Sequence, residues 1–308
     1  MTSGLKARRC VRLIGLVALI AALFAGCSSQ SSAPPKPAPV GQKPDLIFPA
    51  PAGVIAITSP QVNASMWILA GNNSIKTLTM VDAITGKIQR RLPVSSQATD
   101  VVQTAPGTLI VGLRTATTGA LDLINPVSGF ATVSIPVAAP VLKLASSVNG
   151  ALLYVLEGTS KARAVSIYNV NAKRLIKSIP VDKRAVAVES LPDGSGIWVL
   201  LQNGKVDEIS LATNEVLTTF TTGGNASALA ASPDGMTLYV LRPVEQVSTV
   251  PGFGSNVARV KLATQQVTHV LPAPGHCVDI AISTGGQLLY DAVGTATFGN
   301  IQVYSLAG

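Results

Sequence analysis

The side chains able to do chemistry are few and scattered. The 308-residue chain holds two histidines, His269 and His276, and three cysteines, Cys10, Cys27 and Cys277. His276, Cys277 and Asp279 stand closest together. An imidazole, a thiol and a carboxylate in one stretch suggest a metal ligand set or an activated nucleophile. Successive residues of a strand point to opposite faces, however, so at most one of His276 and Cys277 shares a side with Asp279. The sequence contains no Gly-x-Ser-x-Gly elbow, and no Gly-x-Gly-x-x-Gly precedes a helix. Gly194-Ser195-Gly196 reads as a turn, and Pro251-Gly-Phe-Gly-Ser255 as an inserted loop. Catalytic residues, cofactor ligands and metal ligands are therefore all expected to be none. A binding protein is the expectation in preference to an enzyme.

Polar side chains at the ends of candidate strands supply a second set. Gln97, Asp100, Lys183, Arg184, Asn225, His276 and Asp279 would ring the mouth of a central channel if the strands beside them line one. Such a ring suits a small polar or anionic ligand, or simply a hydrated opening. Lys183, Arg184, Asn225, His276 and Asp279 are the contact candidates drawn from it. Phe253, between two glycines, is a further candidate for partner contact.

The elements that would position these groups are strands. Aromatic residues are 4% and charged residues 12% of the chain, with 27 Gly and 20 Pro among many Val, Ile, Leu and Ala. That mixture suits short strands and tight turns. Units of about 43 residues recur. One reads most clearly over Ala228–Leu241: a short apolar strand, the turn Pro233-Asp234-Gly235, then a strand with an aromatic. The aromatic returns at Trp67, Tyr154, Trp198, Tyr239 and Tyr290, with Ile110 in the same place in one unit. A proline landmark closes the units at Pro93, Pro136, Pro180 and Pro272. A turn precedes each closing strand, as in Asp82-Ala-Ile-Thr-Gly-Lys87 and Asn125-Pro-Val-Ser-Gly129.

Four strands in about 43 residues is the signature of a propeller blade. The expected fold is all-β: a β-propeller of six four-stranded blades, with seven as the alternative. The units are 53–94, 95–137, 138–181, 182–222, 223–273 and 274–308. The last lacks a fourth strand. Asp45–Ala50 carries the missing landmark at Pro49 and is expected to pair into the last blade, closing the ring. The insertion 242–256 is the one departure from the repeat length, and added loops on a rigid scaffold often carry recognition.

Residues 1–26 have the three parts of an export signal: a basic start, the apolar run Leu13–Phe24, and small residues before Cys27. The run is shorter than the roughly 20 residues that a spanning helix needs. Leu23-Phe24-Ala25-Gly26-Cys27 resembles the lipobox of bacterial lipoproteins, departing from it at Phe24. The resemblance implies a diacylglyceryl (palmitate-bearing) thioether on Cys27, cleavage before it, and an anchor on the extracytoplasmic face of the cell membrane, periplasmic or surface. Residues 27–43, rich in Ser and Pro, read as a tether, and 44–308 as the propeller domain. Without the leader's four cations, 19 basic and 15 acidic residues remain. No basic stripe with interleaved aromatics stands out, so no nucleic-acid partner is expected. Cys277 is left without a disulfide partner.

Ser232-Pro-Asp-Gly-Met-Thr-Leu-Tyr-Val240 and Leu191-Pro-Asp-Gly-Ser-Gly-Ile-Trp-Val199 resemble the YVTN-type repeats of bacterial surface and periplasmic propellers. The resemblance implies a WD40-like fold and either a non-enzymatic binding or scaffold protein at the cell envelope, or a propeller enzyme such as a lactonase-like hydrolase. An envelope protein or a small polar ligand is the implied partner, beside the membrane itself.

Overall fold

A computed structural model describes residues 43–60, 65–104, 108–243 and 254–306. Cys27, the leader, the tether up to residue 42, and Phe253 lie outside the described residues. Among those described, 24 strands make six four-stranded antiparallel sheets and there is no α-helix. Six blades, not seven, form the ring.

After β1 (Leu46–Pro49), blade one is β2 (Val54–Ile57), β3 (Ser65–Gly71), β4 (Lys76–Asp82) and β5 (Ile88–Val94). Blade two is β6 (Ala98–Thr104), β7 (Thr108–Arg114), β8 (Gly119–Ile124) and β9 (Ala131–Val137). Blade three is β10 (Val141–Ser146), β11 (Leu152–Gly158), β12 (Arg163–Asn169) and β13 (Arg174–Val181). Blade four is β14 (Ala185–Ser190), β15 (Gly196–Leu201), β16 (Lys205–Ser210) and β17 (Val216–Thr221). Blade five is β18 (Ala228–Ala231), β19 (Thr237–Pro243), β20 (Ser255–Lys261) and β21 (Gln266–Ala273). Blade six is β22 (Cys277–Ile282), β23 (Leu288–Thr295) and β24 (Phe298–Ser305), with β1 as its outer strand in the order β1-β24-β23-β22.

The first strand of each blade lies innermost. The six inner strands touch in sequence, and β22 returns to β2, so the ring is closed. Because each blade is an up-and-down meander, its first and third turns lie on one face of the ring. Its second turn and the link to the next blade lie on the other. We call these the mouth face and the far face.

The landmarks of the sequence have physical causes here. Trp67, Tyr154, Trp198, Tyr239 and Tyr290 are all at most 3% exposed, and each joins a cluster shared by two adjacent blades. Six such inter-blade layers replace a single core. The layer between blades three and four, for example, sets Tyr154, Leu156 and Ile167 against Val188, Val199 and Ile209. The closing prolines sit in outer strands. Pro49, Pro93, Pro136 and Pro180 are exposed on an edge where a missing N–H breaks no ladder bond.

In the inner-strand turns, Gly150, Gly194, Gly235 and Gly286 each donate to the carbonyl three residues back at 2.8–2.9 Å and hold φ between 68° and 73°. In the third turns, the left-handed position is filled by Gly86 and Gly129, but by Lys173, Asn214 and Gln265 in later blades. The insertion in blade five is narrower than the sequence suggests. Arg242 and Asn256 are paired strand residues, and Pro243 pairs Ser255 where the ladder ends.

Candidate functional site

Five of the six inner strands carry a bulge near their far-face end. The pairing register slips between Val54 and Ala56, Ala98 and Asp100, Val141 and Lys143, Ala185 and Ala187, and Cys277 and Asp279. A bulge re-aims the side chains on either side of it. Strict alternation would set Cys277 and Asp279 on one face. Their partners are the consecutive residues Val293 and Ala292, so the two side chains diverge. Cys277 turns into the layer between blades five and six, where its thiol donates to Asp291 Oδ2 at 2.9 Å. Asp279 turns to the channel.

Three channel residues meet there, each the first one past a bulge. Lys143 Nζ lies 3.1 Å from Asp279 Oδ1 and 3.5 Å from Asp100 Oδ1. The two carboxylates are also held by the backbone of the next blade. Asp100 Oδ2 accepts from Leu144 N at 2.7 Å, and Asp279 Oδ2 accepts from Ile57 N at 3.0 Å. Blades three and six stand opposite in a six-membered ring, so the Lys143–Asp279 pair spans the channel axis. Burial opposes the charge on Lys143, but the two carboxylates outweigh it and hold the ammonium protonated more firmly than usual. Burial raises Asp100 to about 6, against the opposing pull of Lys143.

This network floors a cavity of about 610 Å³ that opens on the mouth face. The walls are the later residues of the inner strands, and the rim is their turns, including Ser59, Ser147, Pro192, Ser232, Pro233 and Ser283. Glu189 of β14 also lines it. Glu189 Oε1 accepts from the adjacent Ser190 N at 3.1 Å. Burial raises its carboxyl to about 7, with the charges of Asp279 and Asp100 adding to the effect. At blades one and four the post-bulge residues are Ala56 and Ala187, which carry no charge and join the inter-blade apolar layers.

Of the channel-mouth residues read from the sequence, Asp100 and Asp279 line the cavity, and Gln97, Lys183, Arg184, Asn225 and His276 do not. Lys183 and Arg184 lie in the far-face link before β14, Asn225 in the link before β18 and His276 in the link before β22. Arg184 is committed to Asp182, with Nη2–Oδ2 at 2.7 Å and Nε–Oδ1 at 3.0 Å. The far-face set thus does not converge with Asp279 on one pocket. Lys143 and Glu189 were missed by the sequence reading. The available signal was that Asp100, Lys143, Glu189 and Asp279 are each the single charged residue of an inner strand. Among the described residues, no group of three His, Cys, Asp or Glu side chains is placed to hold a metal ion.

These features define a six-bladed β-propeller with a channel closed by an ion pair and open at one end. Among solved structures, 1622 chains match this one, so the shape alone selects no function. One is the hydrazine synthase of Kuenenia stuttgartiensis, with a TM-score of 0.60 and 21% identity over 80% of this chain and 75% of that one. At that identity the likeness speaks for the fold. A comparison with protein-family models finds no match. A comparison with curated proteins also finds none.

Proposed function

We propose that this chain is an exported lipoprotein, anchored through Cys27, whose YVTN-like propeller is a non-enzymatic binding or scaffold module at the cell envelope. The anchor rests on the lipobox-like Leu23–Cys27 and the leader before it. The binding role rests on one observation, the uneven distribution of apolar surface. Among the described residues, 14 large apolar side chains are exposed, and all but Ile75 and Phe298 stand on the mouth face or at the mouth ends of outer strands. Val127 and Phe130 are 77% and 76% exposed. We read this one-sided distribution as a contact surface, with Val127 and Phe130 of one turn as its apolar centre. The chain ahead of β1 enters at the same side, beside Ser305.

The test is crosslinking and affinity capture in intact cells with the full-length protein. Val127→Asp with Phe130→Asp should remove the captured envelope partner, while Ile75→Asp with Phe298→Asp on the far face should not. Equal capture by both pairs would defeat the reading. Cys27→Ala should abolish palmitate incorporation and release the protein from the membrane fraction.

A further inference from the structure

We propose that the channel cavity is a binding site for a small organic cation, an amine held by Glu189 above the Lys143 floor. This site is separate from the apolar rim and from the anchor, and it stands whether or not the chain is lipidated.

The argument is one of charge and commitment. Of the described residues lining the cavity, Lys143 is the sole basic one, and its ammonium is already shared by Asp100 and Asp279. An anion entering would meet no free cation and three carboxyl groups. A cation meets the reverse. Asp100 and Asp279 each spend one oxygen on a neighbouring backbone N–H and the other on Lys143. Glu189 is different. Among the described residues its one hydrogen bond is to the residue beside it, through Oε1, and the side chain lines the cavity with no basic partner. A half-buried carboxylate in a narrow cavity without a counter-ion is costly, and a ligand ammonium supplies one. The volume is of the size that small-molecule sites use. The rim hydroxyls of Ser147 and Ser232 are in place for a polar tail, although both are also engaged within their own turns.

Four groups face one another here: Asp100 from β6, Lys143 from β10, Glu189 from β14 and Asp279 from β22. The lining from β2 and β18 adds no charge. Lys143 stays protonated, so Glu189 and Asp100 set the pH response. Amine affinity should rise as pH increases through about 7, when Glu189 loses its proton.

The experiment is calorimetric titration of the full-length protein with three probes of equal chain length: putrescine, 1,4-butanediol and succinate. Methylamine and spermidine extend the amine series. An amine should bind saturably above neutral pH, with butanediol weaker and succinate silent. Glu189→Gln should cost roughly 10- to 100-fold in amine affinity without lowering thermal stability, as expected for loss of one charge-assisted contact. Glu189→Asp should retain part of the affinity. Succinate binding tighter than putrescine would overturn the proposal. So would amine affinity unchanged in Glu189→Gln, or no saturable binding by any of the amines.

Discussion

Lys143 and Asp279 lie 136 residues apart and in opposite blades, yet their charged groups approach to 3.1 Å on the channel axis. The pair is joined by Asp100, so three strands of the ring depend on one ammonium. Replacing Lys143 with Met leaves two buried carboxylates facing each other. Removing one partner of such a network costs about 3–5 kcal/mol. The combined variant Lys143→Met, Asp100→Asn and Asp279→Asn should regain most of that loss, because each Asn oxygen can still accept the neighbouring N–H. Urea denaturation of both variants measures the difference. Equal stability of the single and triple variants would contradict the account.

A second outcome concerns pH. Burial raises Asp100 to about 6, Glu189 to about 7 and Asp291 to about 7. Each folded value lies above the unfolded one, so the folded state holds these protons more tightly. The resulting stability is complete below about pH 4 and is lost as pH rises through about 7. For Glu189 alone the shift from 4.5 corresponds to about 3 kcal/mol. The exposed Asp82, Asp193 and Asp234 are lowered by hydrogen bonds in their turns and act at the acid end of the range. Thermal melts should therefore show a lower Tm at about pH 8 than at about pH 5, with the slope reduced in Glu189→Gln. A Tm that climbs across that interval would be the wrong sign.

Much of this architecture could be read from the chain because its landmarks mark positions with one physical solution. Pro93, Pro136 and Pro180 occur where an edge strand tolerates them, and Tyr154 or Trp198 where two blades press together. Blade count and the closing strand followed. The site did not. Lys143 sits within Val141-Leu-Lys-Leu-Ala145, a stretch whose period says only strand. Its partners are fixed by closure of the ring and by bulges that leave no residue signature. Lys183, Arg184 and His276 were drawn to the channel by the reasonable idea that strand ends supply polar mouths. The mouth lies at the other ends of those strands.

The third turns offer a stability test in which the chain is its own control. Gly86 and Gly129 hold positive φ without strain, whereas Lys173 holds φ of 54° at the matching place. An L-residue other than glycine pays roughly 1–2 kcal/mol for that conformation. Lys173→Gly should stabilise the protein by about 0.5–1 kcal/mol by chemical denaturation, after the added backbone freedom of glycine in the unfolded chain is set against the relief. Gly129→Ala should destabilise it, since its φ is 80° and an added Cβ would come within 2.8 Å of Leu92.

Cys277 is 4% exposed, and burial, together with the charge of Asp291, raises its thiol well above the ordinary range. A maleimide should leave it unmodified in the native state and label it at the rate of unfolding, read by intact mass. Rapid labelling under native conditions would place the thiol elsewhere.

The short strand β1 carries a mechanical consequence. It holds four residues against β24, with the Asp45 N–H donating to Val303 O at 2.8 Å and the Ala50 N–H to Gly299 O at 3.0 Å at its two ends. Phe48 plugs it into the layer below, seated on Gly86 of blade one. Tension arriving through the residues ahead of Asp45 therefore falls first on the seam that closes the whole ring. Pulled along the channel axis, the ladder is loaded in shear and its bonds resist together. Pulled sideways, it peels one bond at a time from Leu46. The same latch would hold under one direction of force and release under another, opening the ring between its first and last blades.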